Sequence, residues 1–159
     1  MIIKKRYYLK KKRIKEIKNE LAQYGSLINN KDKVEVLETD DYNYILVNGE
    51  PYIIMIEDNP YPTLKAILSN PDLENKKVVV DMGAVRFVTN GADIMSPGIV
   101  DADESITEGD VVVIEDVNNH KPLAIGESLI TGSEMVESSK GKAINSLHFV
   151  GDDIWNLEI

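Results

Sequence analysis

The 159-residue sequence contains no cysteine and only two histidines, His120 and His148. The absence of thiols excludes disulfides, thiol catalysis and thiolate metal sites. Two distant imidazoles without cysteine do not make a zinc centre. No apolar run approaches the roughly eighteen residues of a membrane span. The opening Met1-Ile2-Ile3-Lys4-Lys5-Arg6 lacks the apolar segment of a secretory signal, and Asn-X-Ser/Thr sequons are absent. A cytoplasmic protein with no membrane association, no metal and no cofactor is the expectation.

Catalytic signatures are equally scarce. The P-loop, the dinucleotide fingerprint and Gly-X-Ser-X-Gly are all missing. Asp101-X-Asp103-X-Ser105-X-Thr107 begins like a calcium loop, but Ile106 stands where that loop needs glycine and Val112 where it needs glutamate. Asp40-Asp41 and Asp152-Asp153 read as solvated turn residues, and His148, inside an apolar strand, reads as a packed or hydrogen-bonded core residue. No catalytic residue stands out, so the chain is not expected to be an enzyme.

What is present is a lopsided charge. Residues 1–18 hold nine Lys/Arg against one acid, Glu16, whereas residues 19–159 hold nine against twenty-six. Such asymmetry suggests a polyanionic partner for the basic arm, the alternative being a merely solvated lysine-rich helix. Within the arm, Ile14, Ile17, Leu21 and Tyr24 recur at helical spacing, predicting a helix over Lys11–Tyr24 with Gly25 as its C-cap. Lys11, Lys12, Lys15 and Lys18 fall on a flank beside that stripe.

Around this helix the pattern predicts a first strand over Ile2–Leu9 and a strand over Val34–Leu37. A hairpin of Tyr42–Val47 and Tyr52–Glu57 turns at Asn48-Gly49. Pro62 introduces a short helix, Leu64–Leu68. Charged and turn-forming residues at Asn75-Lys76-Lys77 place a domain boundary there, giving domains 1–75 and 76–159. Eight of the ten glycines lie beyond it. Asp110–Val117 and Leu123–Ile130 form a second hairpin, Ala143–Val150 a late strand, and Asp152 caps a terminal turn. Short strands at this spacing suggest a small barrel.

The second domain is organised around Val78–Val100, VVVDMGAVRFVTNGADIMSPGIV. Val78–Val80 and Ala84–Val88 read as strand-like segments flanking a constrained turn, Asn90–Gly98, with two glycines and a proline. Such a turn can present backbone N–H groups to a closely approaching ligand. Arg86 interrupts the second apolar segment, and Lys140-Gly141-Lys142 opens the late strand. If strands near residues 86 and 142 lie side by side, these cations frame the turn. Met95 and Pro97 are assigned structural roles first.

At these residues the sequence resembles the PUA domain, an RNA-binding module named for pseudouridine synthases and archaeosine transglycosylases. The similarity runs through VVVDMGAVRFVTNGADIMSPGIV, DADESITEGDVVVI, the Ala-Ile-Gly of PLAIGES and GKAINSLHFVGDDIW, with Gly91–Ile99 its most recognisable segment. The whole chain is similar to archaeal relatives of the malignant T-cell amplified sequence family, in which a pre-PUA domain precedes the PUA domain. The resemblance implies an α+β fold: a small N-terminal α+β domain, then a partly open, mixed β-barrel of about six strands. It implies structured RNA, ribosomal or transfer, as partner, together with the small ribosomal subunit and a protein like the density-regulated protein; DNA is not expected. The RNA surface implied is Gly91, Ala92, Asp93, Pro97 and Gly98, with Arg86, Lys140, Gly141 and Lys142 nearby and the basic helix adding salt-sensitive affinity. Translation initiation and recycling is the expected context. An accessory module for RNA modification and a protein–protein adapter with a PUA fold are the competing readings.

Overall fold

The computed structural model describes residues 2–159; Met1 lies outside the described residues. The chain divides after Leu73 into two compact units.

In the first unit, strand β1 (Ile3–Tyr8) precedes helix α1 (Lys11–Leu21) and a 3-10 turn over Ala22–Leu27. Strands β2 (Val34–Thr39), β3 (Asn43–Val47), β4 (Glu50–Ile56) and β5 (Asn59–Pro62) follow, then helix α2 (Leu64–Ser69). The five strands form one antiparallel sheet in chain order. The β3–β4 hairpin turns at Asn48-Gly49 with φ of 52° and 84°, the left-handed pair a two-residue hairpin requires.

The end of α1 and the roles of Gly25 and Pro62 differ from the sequence expectation. Helix α1 ends at Leu21, because Ala22 takes a φ of 52° and the chain tightens into the 3-10 turn. Gly25 is therefore no C-cap. It is glycine because a Cβ there would sit 2.8 Å from the Lys18 carbonyl oxygen, so its hydrogen lets the turn fold back on α1. Pro62 ends β5, and Thr63 caps α2 by accepting the Ala66 N–H.

The second unit contains β6 (Lys77–Val80), helix α3 (Met82–Val88), β7 (Ile94–Met95), β8 (Ile99–Ala102) and β9 (Val111–Asp116). Then come β10 (Pro122–Ser128), helix α4 (Gly132–Glu137) and β11 (Lys142–Phe149). The strand order is β7-β11-β10-β9-β6-β8, antiparallel throughout except for β6 with β9. The two outer strands, β7 and β8, do not pair with each other but are joined by a 3-10 turn, Ser96–Gly98. This is a partly open, mixed barrel with its seam at that turn. Its interior is packed with Val78, Val80, Ile94, Val112, Ile114 and Ile144, each contributing about 1.5–3 kcal/mol by leaving water.

The principal correction concerns Ala84–Val88, which is helical. Asp81 accepts the Ala84 N–H at 2.9 Å and starts the helix as its N-cap. Its apolar residues divide by helical position: Val88 is buried, Ala84 and Val85 pack on the core, and Phe87 points outward. Arg86 therefore lies on a helix, and residue 142 pairs with Met95 rather than with a strand near residue 86. His148 is buried as expected, with Nδ1 2.8 Å from Asp152 Oδ2.

Candidate nucleic-acid interface

Two grooves, one on each unit, carry the candidate residues. In the second unit, a groove of about 470 Å³ runs between α3 and the Ala92–Gly98 segment, with Asp81, Phe87, Met95 and Pro97 among its lining residues. Helix α3 stops because Gly91, at φ 87°, reverses the chain; the Gly91 N–H reaches the Val88 carbonyl and the Ala92 N–H that of Phe87. Turn and helix are tied across the seam, with Asp81 N–H bonded to the Gly98 carbonyl at 2.9 Å.

The turn is also fastened to β11. Asp93 accepts the Ser146 N–H at 2.8 Å through one carboxylate oxygen and pairs with Lys142 Nζ at 2.9 Å through the other. The Ser146 N–H, then the Lys142 ammonium, hold the Asp93 carboxyl below its ordinary range. Asp93 thus fixes the turn, and Lys142 has its charge answered. Gly141, at φ 97°, places its carbonyl to accept the Ser96 N–H at 2.9 Å. Lys140 is exposed one residue earlier.

Arg86 has no ion pair among the described residues. Its guanidinium lies 4.8 Å from the centre of the Phe87 ring, a cation–π distance. The structure therefore gathers Ala92, Asp93, Pro97 and Gly98 at the groove, with Gly141 and Lys142 tied to the same turn. Arg86 stands beside it through Phe87. Met95, expected to have a structural role, pairs in β7 with Lys142 of β11, while its side chain is 48% exposed on the groove wall. Pro97, also exposed, opens the 3-10 turn and lines the groove.

Sequence reasoning missed Phe87, 53% exposed and the largest side chain on the wall. Reading Ala84–Val88 as a strand hid it. The available signal was the Asp81 cap three residues before Ala84, which starts a helix and sends Phe87 to its outer face.

In the first unit, a second groove of about 470 Å³ lies between α1 and residues 28–34. Helix α1 sorts its charges around its circumference. Arg13 pairs with Glu16 at 3.1 Å and with Glu20 at 3.4 Å. Lys11, Lys15 and Lys18 line the groove and form no ion pair among the described residues. Lys12, about 100° further round the helix, is not on the groove wall. The four expected lysines are thus a cluster of three and an outlier.

Residues 76–150 match the PUA domain model, and residues 5–70 match a domain of unknown function, DUF1947. An uncharacterized protein of Methanocaldococcus jannaschii is 50% identical, with 99% of each chain covered. Translation machinery-associated protein 20 of Saccharomyces cerevisiae is 32% identical over 95% of this chain and 87% of its own. The crystal structure of hypothetical protein PH0734.1 from Pyrococcus horikoshii superposes with a TM-score of 0.85 at 41% identity, covering 96% of this chain and 98% of that one. With both domains matched and relatives aligned along nearly the whole length, the chain belongs to the PUA-domain family of the translation machinery-associated 20 and malignant T-cell-amplified sequence proteins.

Proposed function

We propose that the protein is a non-catalytic RNA-binding factor of translation, which docks on ribosomal or transfer RNA at the small ribosomal subunit. The observation that carries this reading is the charge sorting on α1. Three lysines with no ion pair among the described residues line a groove, while the acids of the same helix are occupied by Arg13. Three lysines against one acid, Asp32, on the groove wall, in a chain of net charge −9, favour a polyanion, and the name of the yeast relative supplies translation as the context.

The two units divide the work in this reading. The second unit gives a shaped contact at the α3 groove, with Phe87 offering an aromatic face to an unpaired base and Arg86 and Lys140 supplying nearby charge. The first unit supplies phosphate contacts through Lys11, Lys15 and Lys18. A protein partner of the density-regulated kind is compatible with this arrangement, since neither groove needs it.

Filter binding of labelled transfer RNA and small-subunit RNA over a salt series tests the proposal. Affinity is expected to fall steeply with salt for wild type. Replacing Lys11, Lys15 and Lys18 with Gln is expected to flatten the log–log salt slope by about 2 to 3, at about 0.7–0.9 for each phosphate no longer neutralised. An unchanged slope would remove the helix from the interface.

A further inference from the structure

The groove on the first unit has a second wall whose chemistry differs from the lysine wall. Opposite α1, the segment 28–34 contributes Asn29 and Asn30, both exposed. Neither side-chain amide takes part in a hydrogen bond among the described residues. The loop that carries them is nonetheless fixed through its backbone and Asp32. Asp32 accepts the Asn29 N–H at 2.7 Å and the Asn48 side-chain amide at 2.9 Å. The Asp32 N–H returns to the Asn29 carbonyl at 3.0 Å. Asp32 itself lines the groove, but each of its oxygens is taken up in holding the loop, and the two unused amides share the groove with three lysines that form no ion pair among the described residues.

The lysines are spaced for a polymer. Lys11, Lys15 and Lys18 are separated along the axis by about 6 Å and about 4.5 Å at 1.5 Å per residue, the scale on which phosphates recur along one nucleic-acid strand. A single phosphate would leave part of that row without a partner. Between the phosphates of an RNA strand lie ribose 2′-hydroxyls, each a donor and an acceptor. An asparagine amide is likewise donor and acceptor. Carboxylate side chains of an acidic peptide would satisfy the lysines but would offer acceptors alone to the amides.

Resting on the reading that α1 contacts RNA, we propose that this groove grips one RNA strand, lysines on phosphates and Asn29 and Asn30 on ribose 2′-hydroxyls, and so distinguishes RNA from DNA. Asn29 and Asn30 then set the sugar specificity, while Lys11, Lys15 and Lys18 set affinity without regard to the sugar. Both roles are separable because the backbone bonds that hold the loop do not involve the asparagine amides.

The test uses the full chain and three probes. These are an unpaired RNA of about 15 nucleotides, near the upper site size of single-strand modules, the DNA of the same sequence, and poly-L-glutamate. Binding is followed by fluorescence anisotropy at fixed salt, and thermal unfolding verifies that each variant folds. Wild type is expected to prefer RNA over DNA. Asn29→Ala with Asn30→Ala is expected to weaken RNA binding about tenfold, as the removal of one to two hydrogen bonds requires, with DNA binding and the salt slope unchanged. Lys11, Lys15 and Lys18 to Gln is expected to weaken RNA and DNA alike while keeping their ratio.

Equal wild-type affinity for RNA and DNA would overturn the proposal, as would an asparagine variant whose RNA and DNA affinities fall together or not at all. Binding of poly-L-glutamate as tightly as RNA, insensitive to the asparagine changes, would reassign the groove to an acidic protein segment. If the lysine variant binds every probe as wild type does, the reading of α1 itself fails. If it weakens while the asparagine variant keeps the RNA-to-DNA ratio, only the sugar assignment fails.

Discussion

A Cβ at Gly91 would lie 2.8 Å from Phe149 Cε1, at a φ of 87° that side-chain-bearing residues rarely adopt. The residue ends α3 and seats Phe149, so Gly91→Ala is expected to cost about 1–2 kcal/mol of stability, read as a lower denaturant midpoint. Such a variant reports on folding before it reports on RNA. Gly83 is the better probe, because a Cβ there meets nothing closer than Asp81 Oδ1 at 3.4 Å and its φ is ordinary. Gly83→Leu is expected to unfold like wild type while filling the α3 groove and weakening RNA binding; undiminished binding by the folded variant would exclude that groove. Lys142 makes a second contrast. Paired with Asp93 at 2.9 Å, it already has a counter-charge, so Lys142→Gln is expected to alter RNA affinity less than Lys15→Gln in the same filter assay.

At the scale of elements, β11 and the turn that follows it are joined by the part-buried carboxylate of Asp152. Burial pushes the Asp152 carboxyl upward, but hydrogen bonds from His148 and from the Trp155 and Phe149 N–H groups outweigh it and hold the group below its ordinary value. A depressed carboxyl stabilises the fold fully above its unfolded pKa of about 3.9 and loses that contribution as pH falls through the folded value. The difference in thermal midpoint between wild type and Asp152→Asn is therefore expected to be largest above about pH 4 and to shrink below it; a gap constant across that range would contradict the pairing. The same scale shows why some elements were legible and others were not. The β3–β4 hairpin was announced by Asn48-Gly49, because its turn requires positive φ at both residues. Helix α3 was not, since seven residues span barely two turns and Arg86 amid apolar neighbours imitates strand alternation. The short α4 went unread for a similar reason, although Thr131 and Glu134 form a capping box at its start. The Asp93 fastening lay beyond local pattern altogether: its partner Ser146 is 53 residues away, and no periodicity encodes a contact of that range.

Across the whole molecule, the basic character of residues 1–18 resolves into parts with different fates. Arg6 donates to the buried Glu35 at 2.9 Å, and Arg13 is shared between two glutamates of its own helix. Lys11, Lys15 and Lys18 form no ion pair among the described residues and line the groove of the first unit. Net charge alone did not reveal this division, because the sequence shows how many cations there are and not which ones are neutralised. In the proposed RNA-binding reading, the acidic remainder would limit contact to the places where cations or a shaped groove are offered, as self-repulsion from phosphate opposes wider wrapping. The most direct test of that account is co-sedimentation of the full chain with purified small ribosomal subunits at low and high salt. Wild type is expected to sediment with the subunit at low salt and to be released as salt rises, and the variant with Gln at positions 11, 15 and 18 is expected to stay in the supernatant at both. Equal co-sedimentation of wild type and variant would contradict the account.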